Sequence, residues 1–215
     1  MPKDYELPRL SDFWMTGVAA VAYAIFDMLV YYLGRPIFTA LCKNQDPEKK
    51  KLQAMQVEKM AKCFSKCVYF VAATAWGFSV YMHEPWWPKE MGGKAHFNVS
   101  LGEFPFGKQG EGVKEYVLVT MGYHVGGMIV HALGERGNNF MEMNLHHIVA
   151  FYLFGGMYML NFWHAGGAVA VLHDIADIGA NFSKFASDTP YKNLTAFLFI
   201  LHMIVWFYTR IMVLP

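Results

Sequence analysis

Six stretches of this chain are long and apolar enough to cross a hydrocarbon core, at residues 12–33, 60–82, 113–133, 143–161, 163–180 and 192–213. A crossing takes about 20 residues of helix. Backbone in lipid must satisfy its own hydrogen bonds, which leaves only helices and closed barrels. No barrel-type alternation of apolar and polar residues runs through the six stretches, so the sequence predicts an all-α, polytopic transmembrane bundle of about six helices. One stretch alone could be a buried helix of a water-soluble domain, but six in succession argue against that class. Composition agrees: 55% of the 215 residues are hydrophobic, 17% aromatic and only 16% charged, with a mean hydropathy of +0.22. That is too little charge to clothe a soluble surface.

The net charge of +1 is uninformative, but its placement is not. In the connection from Cys42 to Lys66, Lys43, Lys49, Lys50, Lys51, Lys59, Lys62 and Lys66 outnumber Asp46, Glu48 and Glu58, which reads as a solvated loop on the cytosolic side. Alternation then puts the N-terminus and the 83–112 loop on the opposite side. The 134–141 loop with Arg136 and the 183–191 loop with Lys184 return to the lysine-rich side. The lysines suit water or anionic lipid head groups, and no nucleic-acid partner is expected. Glu84-Pro85-Trp86-Trp87-Pro88 and the glycines after it predict an irregular excursion, with Trp86 and Trp87 in an interfacial aromatic belt. Cys42, Cys63 and Cys67 have no metal-type spacing and read as free thiols. The first twelve residues lack a basic n-region and a small-residue cleavage site, so the first apolar stretch reads as a retained anchor. The organisation expected is an anchor helix with a lysine-rich loop over 1–59, followed by a transmembrane domain over 60–215.

Within the fourth and fifth stretches lie His146, His147, His173, Asp174 and Asp177. Ionisable groups inside a membrane are expensive and mark function. A single histidine could be a satisfied bundle residue, but two aspartates in the same span shift the balance. The connection near 161–165 is so short that these stretches must form an antiparallel hairpin. Counting helical rise from that turn predicts one membrane depth for all five groups. His173 and Asp177 share a face at i, i+4. A carboxylate that accepts from one ring nitrogen fixes a histidine's tautomer and makes the other nitrogen more basic. The result is a general base or nucleophile suited to acyl transfer. Zinc or iron ligation is the competing chemistry. The HxxxH and HxxHH boxes of membrane di-iron enzymes are not in the sequence, so no metal is expected. His124 and His131 share a face at i, i+7 and read as structural.

The run Leu145-His146-His147-Ile148-Val149, then Asn161-Phe162-x-x-Ala165-Gly166, then Leu172-His173-Asp174-x-x-Asp177 resembles, in order and spacing, the motif of the TLC-domain family and its ceramide synthase (longevity-assurance) branch. Glu84-Pro85-Trp86, Lys184 and the stretch from Thr209-Arg210 to Leu214-Pro215 are similar to flanking parts of that family, so the resemblance covers about residues 60–215. It implies N-acylation of a sphingoid base by a fatty acyl-CoA inside a helical barrel of the endoplasmic reticulum, with acyl-CoA as co-substrate and no bound cofactor. One histidine of His146-His147 would accept the acyl group or act as base, and His173, Asp174 and Asp177 would orient it. Asn161, His164, Lys184 and Arg210 are the candidate substrate-binding residues.

This sequence departs from the family pattern at three points. Position 164 is histidine where arginine is common, position 181 is Asn181 where an acidic residue is usual, and the chain stops at Pro215 where relatives make a further passage, which implies an incomplete barrel. These departures motivate an alternative: a non-catalytic, lipid-binding or structural subunit of a larger membrane complex, which could sit in the mitochondrial inner membrane. The partners implied are acyl-CoA, a sphingoid base and membrane lipids, with a homodimer or a larger assembly as the quaternary expectation.

Overall fold

The computed structural model describes residues 8–95, 110–134 and 140–213. It contains six α-helices: α1 (Trp14–Leu41), α2 (Lys50–Tyr81), α3 (Val113–Leu133), α4 (Phe140–Met159), α5 (Trp163–Ser187) and α6 (Lys192–Phe207). A 3-10 turn at Leu10–Phe13 leads into α1, and a π-helical turn at Tyr208–Val213 continues α6. Arg136 and residues 96–109 of the 83–112 excursion lie outside the described residues, as do Leu214 and Pro215.

The six helices match the six expected spans in position. Four of them, at Leu10–Leu41, Lys50–Tyr81, Val113–Leu133 and Lys192–Val213, are long and apolar enough to cross a membrane on their own. Helices α4 and α5 are not among these four, and they carry Glu142, His146, His147, His164, His173, Asp174 and Asp177. The exposed faces are rich in large apolar side chains, such as Val18, Ile25 and Leu29 on α1 and Phe197, Ile200 and Ile204 on α6, and no residue of α6 is buried. Apolar surface of this extent belongs against lipid. The chain is an integral membrane protein.

Two readings change. The lysine-rich stretch is mostly helix, since α2 starts at Lys50 and runs for 32 residues. Lys, Leu, Gln, Ala and Met are all good helix formers, and the Asp46 carboxylate accepts the Glu48 backbone N–H at 3.0 Å to cap the entry. Trp86 and Trp87 are 5% and 0% exposed and therefore are not belt residues. Trp87 stacks on Tyr81 at 5.7 Å and its indole N–H donates to the Met91 carbonyl at 3.1 Å. Burial with a satisfied indole outweighs an interfacial position here.

The helices form two compact units, Met1–Ile25 with Ala75–Val171, and Phe26–Thr74 with Leu172–Pro215. In the first, α1 and α3 approach closely through small residues. A Cβ on Gly122 would meet the Thr16 carbonyl at 2.7 Å, and one on Gly126 the Ala20 carbonyl at 2.6 Å. The Thr16 hydroxyl donates to the Leu118 carbonyl at 3.0 Å across the same crossing. Such small-residue contacts are how helices pack in lipid, where the hydrophobic effect between them is weak. Lys114 pairs with Asp12 at 2.7 Å, and Asp12 also accepts from the Tyr158 hydroxyl, tying the start of the chain to α3 and α4.

The second unit has a core of Phe38, Cys42, Val57, Met60 and Ala61, covered by Phe185 and others. The three cysteines are free, as expected. Two polar ties hold this unit. Ser65 donates to the buried Asp27. Buried Asp188 pairs with Lys59 at 2.7 Å and with Lys43 at 3.5 Å.

Candidate functional site

The first unit holds His146, His147, Asn161 and His164; the second holds His173, Asp174, Asp177, Lys184 and Arg210. The candidate residues thus form two polar centres.

In the first centre, consecutive positions on α4 point about 100° apart, so one histidine of the pair turns inward. It is His147, 3% exposed, while His146 is exposed. The Nδ1 of His147 lies 3.3 Å from the Nδ1 of His124 on α3, itself 8% exposed. His124 is the residue that sequence reasoning set aside as structural. Its spacing from His131 was its only signal, and that spacing does not discriminate: His131 instead stacks on Phe140 and contacts the Phe140 carbonyl at 3.2 Å. The His147 ring lies against Gly127, where a Cβ would meet its Cε1 at 2.7 Å and its Nε2 at 3.0 Å. Phe154 packs 5.4 Å from the His124 ring, and Tyr123 lies beside both imidazoles. Two imidazoles in nitrogen contact share at least one proton, so their tautomers are linked.

At the end of α4, Asn161 adopts φ +57° and is buried. The Phe162 N–H reaches back to the Met157 carbonyl at 2.9 Å, which closes the helix and reverses the chain into α5. Asparagine tolerates this left-handed cap better than most residues, and the cap accounts for the residue type at this position. His164, where the family pattern has arginine, stacks on Trp86 with ring centres 4.4 Å apart.

In the second centre, Arg210 donates from a guanidinium nitrogen to the Nε2 of His173. Arginine carries no acceptor, so the His173 Nε2 must present its lone pair, and neutral His173 holds its proton on Nδ1. That bond directs Nε2 toward Arg210 and leaves Nδ1–H as the donor of this ring. Arg210 sits in the π-helical turn after α6. Such turns insert a residue into the helical register and recur at functional sites. Asp174 is 6% exposed and Asp177 follows on α5, where Asn181 donates to the Asp177 carbonyl at 2.8 Å. The Asn181 side chain thus spends its amide on its own helix. Lys184 is exposed in the last turn of α5. Among the described residues, no group of three or more His, Cys, Asp or Glu side chains converges as a metal-ligand set.

A lipid-embedded helical protein with histidine and carboxylate groups inside its spans is the class that fold and site define. The TLC domain model matches residues 59–215. Ceramide synthase hyl-1 of Caenorhabditis elegans is 23% identical over 164 residues, covering 74% of this chain and 42% of the relative. Ceramide synthase hyl-2 of the same organism is 21% identical over 219 residues, covering 98% and 64%. Ceramide synthase 1 LOH3 of Arabidopsis thaliana is 26% identical over 223 residues, covering 97% and 69%. The chain belongs to the TLC domain family, in its ceramide synthase branch. It spans from 42% to 69% of the length of these three relatives.

Proposed function

We propose that this protein is a sphingoid-base N-acyltransferase, which moves a fatty acyl group from acyl-CoA to the amine of a long-chain base within the membrane. The observation that carries the reading is His147: a buried imidazole on a membrane helix, in nitrogen contact with a second imidazole. Similarity to relatives named as ceramide synthases supports the substrate class.

The chemistry asks little more of the protein than a base and an orientation. The amine nitrogen forms a bond to the thioester carbonyl carbon, the C–S bond breaks, and the thiolate leaves with the proton that the amine gives up. His147 serves by taking that proton and returning it to the thiolate, or by accepting the acyl group first and passing it to the amine. Either role needs one ring nitrogen with a lone pair, at neutral pH, in a site that excludes water. In the second unit, Arg210 holds His173 as an Nδ1–H donor on the helix that also carries Asp174 and Asp177, groups that suit the polar parts of the substrates. The lysines at the start of α2, together with Lys184, suit the phosphates of acyl-CoA on the cytosolic side. This placement suits the endoplasmic reticulum, where acyl-CoA arrives from the cytosol and the base partitions into the bilayer.

The test is expression of the full-length protein in cells lacking endogenous ceramide synthase, with membranes assayed for acyl-CoA-dependent ceramide. Amide product that disappears in His147→Ala supports the reading. Folded protein that binds a labelled sphingoid base but yields no amide would sink it, and would assign the chain to lipid binding within a larger assembly.

A further inference from the structure

The contact between His124 and His147 restricts the catalytic tautomer. One nitrogen of the pair must donate and the other accept. If His124 donated, neutral His147 would hold its remaining proton on Nε2, and that nitrogen would have no lone pair for a base or a nucleophile to use. If His147 donates, its Nε2 carries the lone pair that a base or a nucleophile requires. The acyl-transfer reading therefore selects one of the two arrangements.

We propose that His124 is a positioning residue for His147: its Nδ1 accepts the Nδ1–H of His147 across the 3.3 Å contact, which keeps the His147 Nε2 lone pair for the reaction. This inference rests on the acyltransferase reading. When His147 takes a proton or an acyl group at Nε2, its ring becomes cationic, and the Nδ1–H bond to His124 shortens and strengthens. A neutral imidazole thus occupies the place that a carboxylate holds in a Ser-His-Asp triad. It orients the ring and supports the transient positive charge without placing a permanent negative charge inside the membrane, where an unpaired one would be expensive. Packing supports the assignment. His124 is held between Tyr123 and Phe154, and Gly127, one helical turn further along α3, leaves room for the His147 ring. A residue kept only to fill space between α3 and α4 would not need a nitrogen at the contact.

The test compares wild type, His124→Phe and His124→Asn as full chains in the acyl-transfer assay, each checked for folding by monodisperse behaviour in detergent. Phenylalanine keeps the ring volume and removes the nitrogen, whereas the asparagine amide places a hydrogen-bonding atom close to the former Nδ1. The expected result is a fall in kcat of about 100-fold for His124→Phe, with KM within about 3-fold, and recovery of at least about 10-fold in His124→Asn. Unchanged kcat in His124→Phe, or asparagine no better than phenylalanine, would overturn the assignment. A second measurement does not depend on turnover. In protein labelled with 15N-histidine, the His147 Nδ1 signal should be that of a protonated, hydrogen-bonded nitrogen and should shift in His124→Phe. A wild type without activity but with that shift would remove the acyltransferase reading and leave the donor–acceptor pair standing. A His147 whose proton sits on Nε2 refutes the pair whatever the activity.

Discussion

Gly127 sets where the His147 imidazole can lie, because a Cβ at this position would sit 2.7 Å from the ring. The Gly127→Ala change is expected to displace the ring while sparing the fold. The atom struck is the far end of a side chain, so the overpacking, about 1–3 kcal/mol when a core cannot yield, is largely relieved. Alanine also gains about 1 kcal/mol over glycine in a helix. Activity should fall by at least about 10-fold with little change in thermal unfolding, since small misplacements of a catalytic group are disproportionately harmful. An unchanged rate would show that the ring position is not critical. The histidine pair itself makes a second contrast. His147→Ala should lower acyl transfer by more than about 100-fold, while His146→Ala, on the exposed side of α4, should stay within about 10-fold. Asp174→Asn should abolish turnover in a folded protein, and equal losses for both histidines in the same membrane assay would contradict the inward-outward division. The sequence made the pair legible but not which member is inward, because adjacent polar residues carry no periodicity of their own. His124 was illegible for a similar reason: its partner lies 23 residues away on another helix.

Element ends and crossings carry the next level of specification. Asn161 in the left-handed region predicts that Asn161→Val will lose about 1–2 kcal/mol, read as a lower unfolding temperature in detergent. Asp188, just past α5, pairs with Lys59 of α2 at 2.7 Å and with Lys43 of the α1–α2 connection at 3.5 Å. The Asp188→Asn change leaves both lysines without a buried counter-charge, and because their side chains are 51% and 42% exposed the loss should be about 1–2 kcal/mol, less than for a fully buried pair. These boundaries were only partly readable. The α4–α5 reversal was clear from the brevity of the connection and the asparagine in it. The start of α2 at Lys50 is hidden in the sequence, because a dense run of lysines suits a solvated loop and a solvated helix equally. Trp86 and Trp87 are not readable in sequence, because an interfacial tryptophan and a buried one look alike until the packing around the rings is known.

Membrane orientation is the property that belongs to the whole chain, and charge and length agree on it. Helix α2 has 32 residues, about 48 Å at helical rise, against a hydrocarbon core of about 30 Å. The excess of about 12 residues is the length from Lys50 to about Ala61, which holds Lys50, Lys51 and Lys59. Its N-terminal turns therefore extend past the core on the lysine-rich side, and its C-terminal end delivers the Trp86-Trp87 segment to the other. Positive residues favour the cytosol, so the second and fourth inter-helix connections should face the lumen of a secretory-pathway membrane. The sequence carries its own reporters for this, since Asn98-Val99-Ser100 falls in the excursion after α2 and Asn193-Leu194-Thr195 opens α6 on the lysine-rich side. Both satisfy the acceptor pattern for N-glycosylation, which occurs only in the lumen. In cells, the wild type should show an endoglycosidase-sensitive mobility shift that Asn98→Gln removes, and Asn193→Gln should leave it intact. Modification at Asn193 instead would invert the orientation and place the lysines, and the acyl-CoA phosphates assigned to them, on opposite sides of the membrane from the cytosolic pool.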